Sequence, residues 1–239
     1  MLASLVFVHF AEQPPVGDVV RFNISSPESA NRPAFALPDG RRLAFTALGY
    51  NGLSQLWVRT LDSLEARPVP GTERAAAIPY VFWSPDNGSI AFWTGGKLKR
   101  VAPAGGPVKT VCDAPNTAVG GSWSRDDVIV FGNCAGGLMR APAAGGTASP
   151  ITILDASRRE VAHEYPSFLS DGRHFLYARR STSAAELRVG SLDAAPSGQD
   201  SRSLGDVTLA EPAFVPSTDA RRGHFLFVRQ GAVFRQEKT

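Results

Sequence analysis

A short pattern recurs along the chain and restricts the fold more than any other feature. Its first copy is Pro33-Ala34-Phe35-Ala36-Leu37-Pro38-Asp39-Gly40-Arg41-Arg42-Leu43-Ala44-Phe45. The second is Pro79-Tyr80-Val81-Phe82-Trp83-Ser84-Pro85-Asp86-Asn87-Gly88-Ser89-Ile90-Ala91-Phe92. The third runs from Gly121 through Trp123 and Asp126 to Phe131, and the fourth from Tyr165 through Phe168, Asp171 and Gly172 to Tyr177. A weaker fifth copy joins Glu211-Pro212-Ala213-Phe214-Val215-Pro216 to Gly223-His224-Phe225-Leu226-Phe227. The aspartates Asp39, Asp86, Asp126 and Asp171 stand 47, 40 and 45 residues apart. A period in this range is the mark of a repeat architecture.

Each copy has the same grammar. An aromatic residue ends a short strand, and Pro-Asp-Gly or a relative of it makes a turn. Pro presets φ, Asp bonds back to the backbone and Gly admits positive φ. The expected turn residues are Asp39, Gly40, Asp86, Gly88, Asp126, Asp171 and Gly172. A second strand follows, then a third at Gln55–Arg59, Lys97–Val101, Gly137–Ala141 and Glu186–Val189. After Ala104-Gly105-Gly106 or Ala144-Gly145-Gly146 a fourth strand closes the unit, as at Val108–Val111. Four short antiparallel strands per repeat predict an all-β chain, a β-propeller of four-stranded blades. Five blades are expected near 30–75, 76–116, 117–158, 159–208 and 209–239, inside a propeller region 16–239. The segment Val19–Ile24 reads as a strand without a blade of its own. Either it closes a five-bladed ring, or a larger propeller is cut at Thr239. Phe35, Trp83, Trp123, Phe168 and Phe214 recur in phase, as packing between blades requires.

Composition agrees. The 23 Gly and 18 Pro leave little room for long helices, since both break helix interiors. An apolar share of 43% and a net charge of +3 exclude a disordered tail. The positive charges are scattered rather than clustered, so no nucleic-acid partner is expected.

The N-terminal Leu2–Ala11 is apolar but too short to cross a bilayer alone. It is either a buried or interfacial segment, or the outer half of a membrane helix. Glu12-Gln13-Pro14-Pro15 would then be a stiff juxtamembrane linker, giving a first unit at 1–15.

Catalytic signatures are sparse. The chain has no Gly-x-Ser-x-Gly elbow, and Gly121-Ser122-Trp123 falls on an inner strand. Kinase motifs are also missing: no phosphate loop with its following lysine, no His-Arg-Asp and no Asp-Phe-Gly. Of the histidines His9, His163, His174 and His224, the last two hold equivalent places in the repeat. His163-Glu164 is expected in the connection entering the fourth blade, and is the weak candidate for a binding site. Asp126-Asp127 reads as a turn rather than a Ca²⁺ site. No cofactor or metal is expected. Cys112 and Cys134 are the only cysteines, and the sequence leaves their pairing open.

The phrases Phe35–Phe45, Trp83–Asp86 and Leu169–Tyr177 resemble TolB-type, or WD40-like, propeller repeats. More narrowly, Ser54–Leu64, Gly96–Lys99, Ala104–Pro107, Asp113–Pro115, Arg173–Tyr177 and Val189–Asp193 resemble the propellers that follow the membrane helix in bacterial serine/threonine protein kinases. The likeness covers roughly residues 19–235. It implies an extracytoplasmic, membrane-tethered, non-catalytic module that binds a protein, a peptide or a small ligand. A kinase domain would belong to the parent protein only. Two other classes stay open: a propeller hydrolase or lyase with its site at the central channel, and a structural scaffold.

Overall fold

The computed structural model describes residues 41–49, 52–63, 65–73, 80–114, 118–199, 203–207, 213–216, 223–229 and 232–237. The expected membrane-proximal segment 1–15, the strand at 19–24, Phe35 and the turn residues Asp39 and Gly40 lie outside the described residues.

Among the described residues, eighteen strands form five antiparallel sheets, each a meander in chain order. The first holds β1 Arg42–Leu48, β2 Ser54–Thr60 and β3 Ala66–Pro68. The second holds β4 Phe82–Trp83, β5 Ile90–Thr94, β6 Lys97–Val101 and β7 Lys109–Asp113. The third holds β8 Ala118–Trp123, β9 Val128–Asn133, β10 Met139–Pro142 and β11 Ser149–Pro150. The fourth holds β12 Glu160–Phe168, β13 His174–Ser181, β14 Ala185–Ser191 and β15 Ser203–Asp206. The fifth holds β16 Ala213–Pro216, β17 Gly223–Arg229 and β18 Ala232–Glu237. The only helical pieces among the described residues are two 3-10 turns, Ala156–Arg158 and Pro196–Gly198. None is long and apolar enough to cross a membrane. The architecture is a β-propeller.

A blade buried on both faces needs apolar residues at successive positions, and its second strand has them. Ile90 and Phe92 of β5 pack with Ala44, Leu56 and Val69 of the first blade. Between them, Ala91 and Trp93 turn the other way, onto Trp123, Ile129 and Phe131 of the third. Val130 of β9 meets Phe175 and Tyr177 of the fourth blade, while Leu176 packs on the far side with Leu169 and Leu187. The inner-strand aromatics join the same interfaces. Trp83 sits in the first of these clusters, Trp123 in the second, and Phe168 packs against the third. An arginine of the preceding blade covers each tryptophan, Arg42 at 5.0 Å from the Trp83 ring and Arg100 at 5.9 Å from that of Trp123. Of Phe214 only the backbone is described.

The turns divide their work differently from the simple Asp-Gly grammar. Positive φ falls on Asn87 (59°), Asp127 (57°) and Gly172 (71°), one residue after each turn aspartate. Gly88 therefore does not carry the left-handed residue. Asn and Asp are the non-glycine types that tolerate this conformation. Gly88 instead donates its amide to Asp86 at 2.9 Å. In the third blade the back-bonding role passes from Asp126 to Ser124, whose hydroxyl accepts from the amides of Asp126 and Val128. Asp127 takes the Trp123 indole N–H at 3.1 Å. Asp171 accepts the amides of Arg173 and His174, both at 2.9 Å.

Candidate functional site

The fourth blade departs from the apolar rule on the face it turns towards the third. His163 on β12 stands opposite Arg179 on β13, and Arg179 stands opposite Glu186 on β14. One pleat further on, Tyr177 is opposite Arg188. Directly paired residues share a face of the sheet. Arg179 binds Glu160 at 3.2 Å and Glu186 at 2.8 Å, and Arg188 binds Glu186 at 2.9 Å. A row of alternating charge thus crosses three strands. Its Glu160 end is buried, with only 3% of that side chain exposed.

The connection from β11 to β12 brings the third blade to this row. Asp155 caps the 3-10 turn Ala156–Arg158, accepting the Ser157 amide at 2.9 Å. Arg159 at φ 53° reverses the chain, and β12 begins. Thr152, Asp155 and Arg158 from the connection, Glu160, His163, Tyr177 and Arg179 from the sheet, and residues of the 196–199 turn line a cavity of about 210 Å³.

His163 is the buried centre of the site. Its Nδ1 lies 2.7 Å from the Thr152 hydroxyl and its Nε2 lies 3.2 Å from Glu160. Thr152 already accepts the Leu138 amide at 2.7 Å, so its proton is free to be donated to Nδ1. The neutral tautomer with its proton on Nε2 satisfies both contacts. Burial lowers the His163 pKa from its ordinary value of 6.5, against the attraction of Glu160, and Arg179 and Arg188 add to the lowering. The imidazole is held neutral.

The sequence pairs His163 with Glu164 in a loop, and the structure corrects both points. The two lie inside β12, and successive strand residues face opposite ways. Glu164 is buried on the other face, bonded to Arg180 at 2.9 Å. Arg180 also donates to the Cys134 carbonyl at 3.1 Å, fastening the fourth blade to a turn of the third. Sequence reasoning missed the hydrogen-bond partners Thr152 and Glu160, and the charged row of Arg179, Glu186 and Arg188 beside them. One signal was available: Glu186 stands where Lys97 and Gly137 stand in the earlier blades. Elsewhere, His174 pairs with Asp171 at 2.8 Å on the surface, and of His224 only the backbone is described. Cys112 and Cys134 are both free. Burial, with nearby Asp113, pushes the Cys112 thiol up to about 11. Among the described residues no group of three or more His, Cys, Asp or Glu side chains is placed to hold a metal.

No family model and no curated protein matches the chain. Solved structures do. TolB from Acinetobacter baumannii superposes with a TM-score of 0.60 at 14% identity, over 86% of this chain and 53% of that one. A putative TolB from Agrobacterium tumefaciens gives 0.51 at 20% identity, over 72% of this chain and 61% of that one. Virginiamycin B lyase from Staphylococcus aureus gives 0.55 at 14% identity, over 85% and 68%. The chain therefore spans little more than half the length of the two TolB structures. At such identities the likeness establishes the propeller fold and no activity. The neighbours include both TolB proteins and enzymes.

Proposed function

We propose that this propeller is a non-catalytic binding or sensing module, the extracytoplasmic part of a membrane-bound serine/threonine protein kinase. The cleft between the third and fourth blades is its ligand site. One observation carries the reading. The titratable groups on the cleft floor are committed to one another: His163 to Thr152 and Glu160, Arg179 to Glu160 and Glu186. A group engaged on both sides is a poor proton shuttle and a good rigid wall. The kinase link is supported by the sequence resemblance, and residues 2–11 would form the outer end of the membrane span.

The test is a ligand library read by thermal shift, on the wild type and on Ser197→Trp, which fills the cleft from its exposed rim. Ligands that raise the melting temperature of the wild type and not of the variant support the reading. A library without a single such ligand counts against it. A reading frame running upstream of Met1 into a kinase supports the tether, and one encoding an unrelated protein removes it.

The rival reading is a hydrolase or lyase. What favours it is the His163–Glu160 contact inside a cleft, an acid–base pair in form. It predicts that a ligand found in the library is converted to product, and that His163→Gln abolishes conversion while leaving binding intact.

A further inference from the structure

The carboxylates of the cleft have engaged their oxygens, while its arginines keep donors to spare. Glu160 accepts from Arg179, from His163 and from the Asp155 amide at 2.6 Å. Asp155 accepts from the amide and hydroxyl of Ser157, and from Arg158 at 3.2 Å. The oxygens of both carboxylates are therefore occupied. The two arginines are not. A guanidinium has five N–H donors. Arg158 spends its Nε on Asp155, and Arg179 spends one donor on each of two glutamates. Arg158 is also loosely held. Its side chain is 51% exposed, and a surface pair of this kind contributes little.

The charges of the lining add a second restriction. Asp155 and Glu160 balance Arg158 and Arg179, with His163 neutral. A spare guanidinium fork in a site of no net charge suits one carboxylate, which it can bind with two parallel bonds. In that balanced site a doubly charged anion would leave twice the uncompensated charge of a monocarboxylate. Ile153, which is 58% exposed, and Pro196 line the same cavity and offer an apolar surface to the rest of the ligand. Benzene occupies an engineered cavity of roughly 150 Å³. At about 210 Å³, this cleft has space for a ring or short chain with its carboxylate.

We propose that the cleft binds a small organic monocarboxylate, its carboxylate on Arg158 and its apolar part against Ile153 and Pro196. This rests on the reading of the cleft as the ligand site and names the class of ligand. The experiment is calorimetric titration of the whole protein with benzoate and butyrate, beside their neutral amides and inorganic phosphate. The expected result is binding of a carboxylate, with the matching amide and phosphate at least about tenfold weaker. Arg158→Gln should weaken the carboxylate by the same factor and leave the amide unchanged, with the ligand-free melting temperature unaltered. Equal binding of benzoate and benzamide, tighter binding of phosphate, no binding of either carboxylate, or an Arg158→Gln variant that binds like the wild type would each overturn the proposal. Ser197→Trp separates the two levels. A ligand of another class displaced by Ser197→Trp retains the cleft and rejects the carboxylate, whereas a carboxylate that binds equally well to Ser197→Trp rejects the cleft itself.

Discussion

His163 ties the stability of the interface between the third and fourth blades to pH. Burial depresses its pKa below the ordinary 6.5, so between these two values the unfolded chain holds a proton that the folded chain does not. Protonation then favours unfolding. The stability gained by burying the neutral ring is complete above about pH 6.5 and is lost as pH falls below it. Protonation also puts a hydrogen on Nδ1, facing a Thr152 hydroxyl that now points its own proton there. Melting temperatures measured from pH 7.5 to 5 should fall for the wild type, and fall distinctly less for His163→Gln. Parallel curves would show that His163 does not titrate across unfolding. Arg179 is the second sensitive residue. Arg179→Met leaves Glu160 buried without its main counter-charge and should cost about 3–5 kcal/mol in denaturant unfolding. A loss below about 1 kcal/mol would mean that Glu160 is rehydrated or finds another partner. Of this cluster only His163 stands out in the sequence. Thr152 comes from a connection 11 residues away, Glu160 from three residues back on the same strand past a bulge, and the charged row beside them from β13 and β14, which the pairing register reveals. The adjacent Glu164 is the natural guess in a linear reading, and strand alternation puts it on the wrong face.

At the scale of the element, the repeated turn shows how one geometry accepts several sequences. The left-handed position must be filled, but Asn87, Asp127 and Gly172 all fill it. The sequence therefore shows where each turn is, and not which residue bears the strain. Substitution separates these cases. Gly172→Ala puts a Cβ at φ 71°, with the Arg125 side chain 3.0 Å away, and should cost about 1–2 kcal/mol. Gly88→Ala meets only the Asp86 carboxylate, at 3.0 Å, on a backbone that an L-residue adopts readily. That loss should stay below about 0.5 kcal/mol. The two alanine variants, compared by urea unfolding, test the assignment directly. Equal losses would mean that the turn can shift its register to move the strained position.

For the whole molecule, the in-phase aromatics and the paired turns made the propeller legible, because a repeat reports the same contact several times. The cleft was not legible, because it is a single departure from that repeat. The contacts that join the blades run between neighbours, which bears on how the molecule opens. Phe131 is 3% exposed and packs between the second and third blades, with its ring 6.4 Å from that of Trp93. Phe131→Ala should cost about 3–5 kcal/mol through lost burial and the cavity left behind. The question is where the loss is felt. When a unit contacts only its neighbours, stability is close to a sum of unit and interface terms. Amide hydrogen exchange should then quicken in β4–β7 and β8–β11 together, since both lose the same wall. The amides of β14 and β15 pack on the opposite side of the fourth blade, around Leu187 and Leu204, and should change far less. Exchange that quickens equally in all blades would show instead that the propeller opens as one cooperative body, with the interfaces too strongly coupled for any blade to loosen alone.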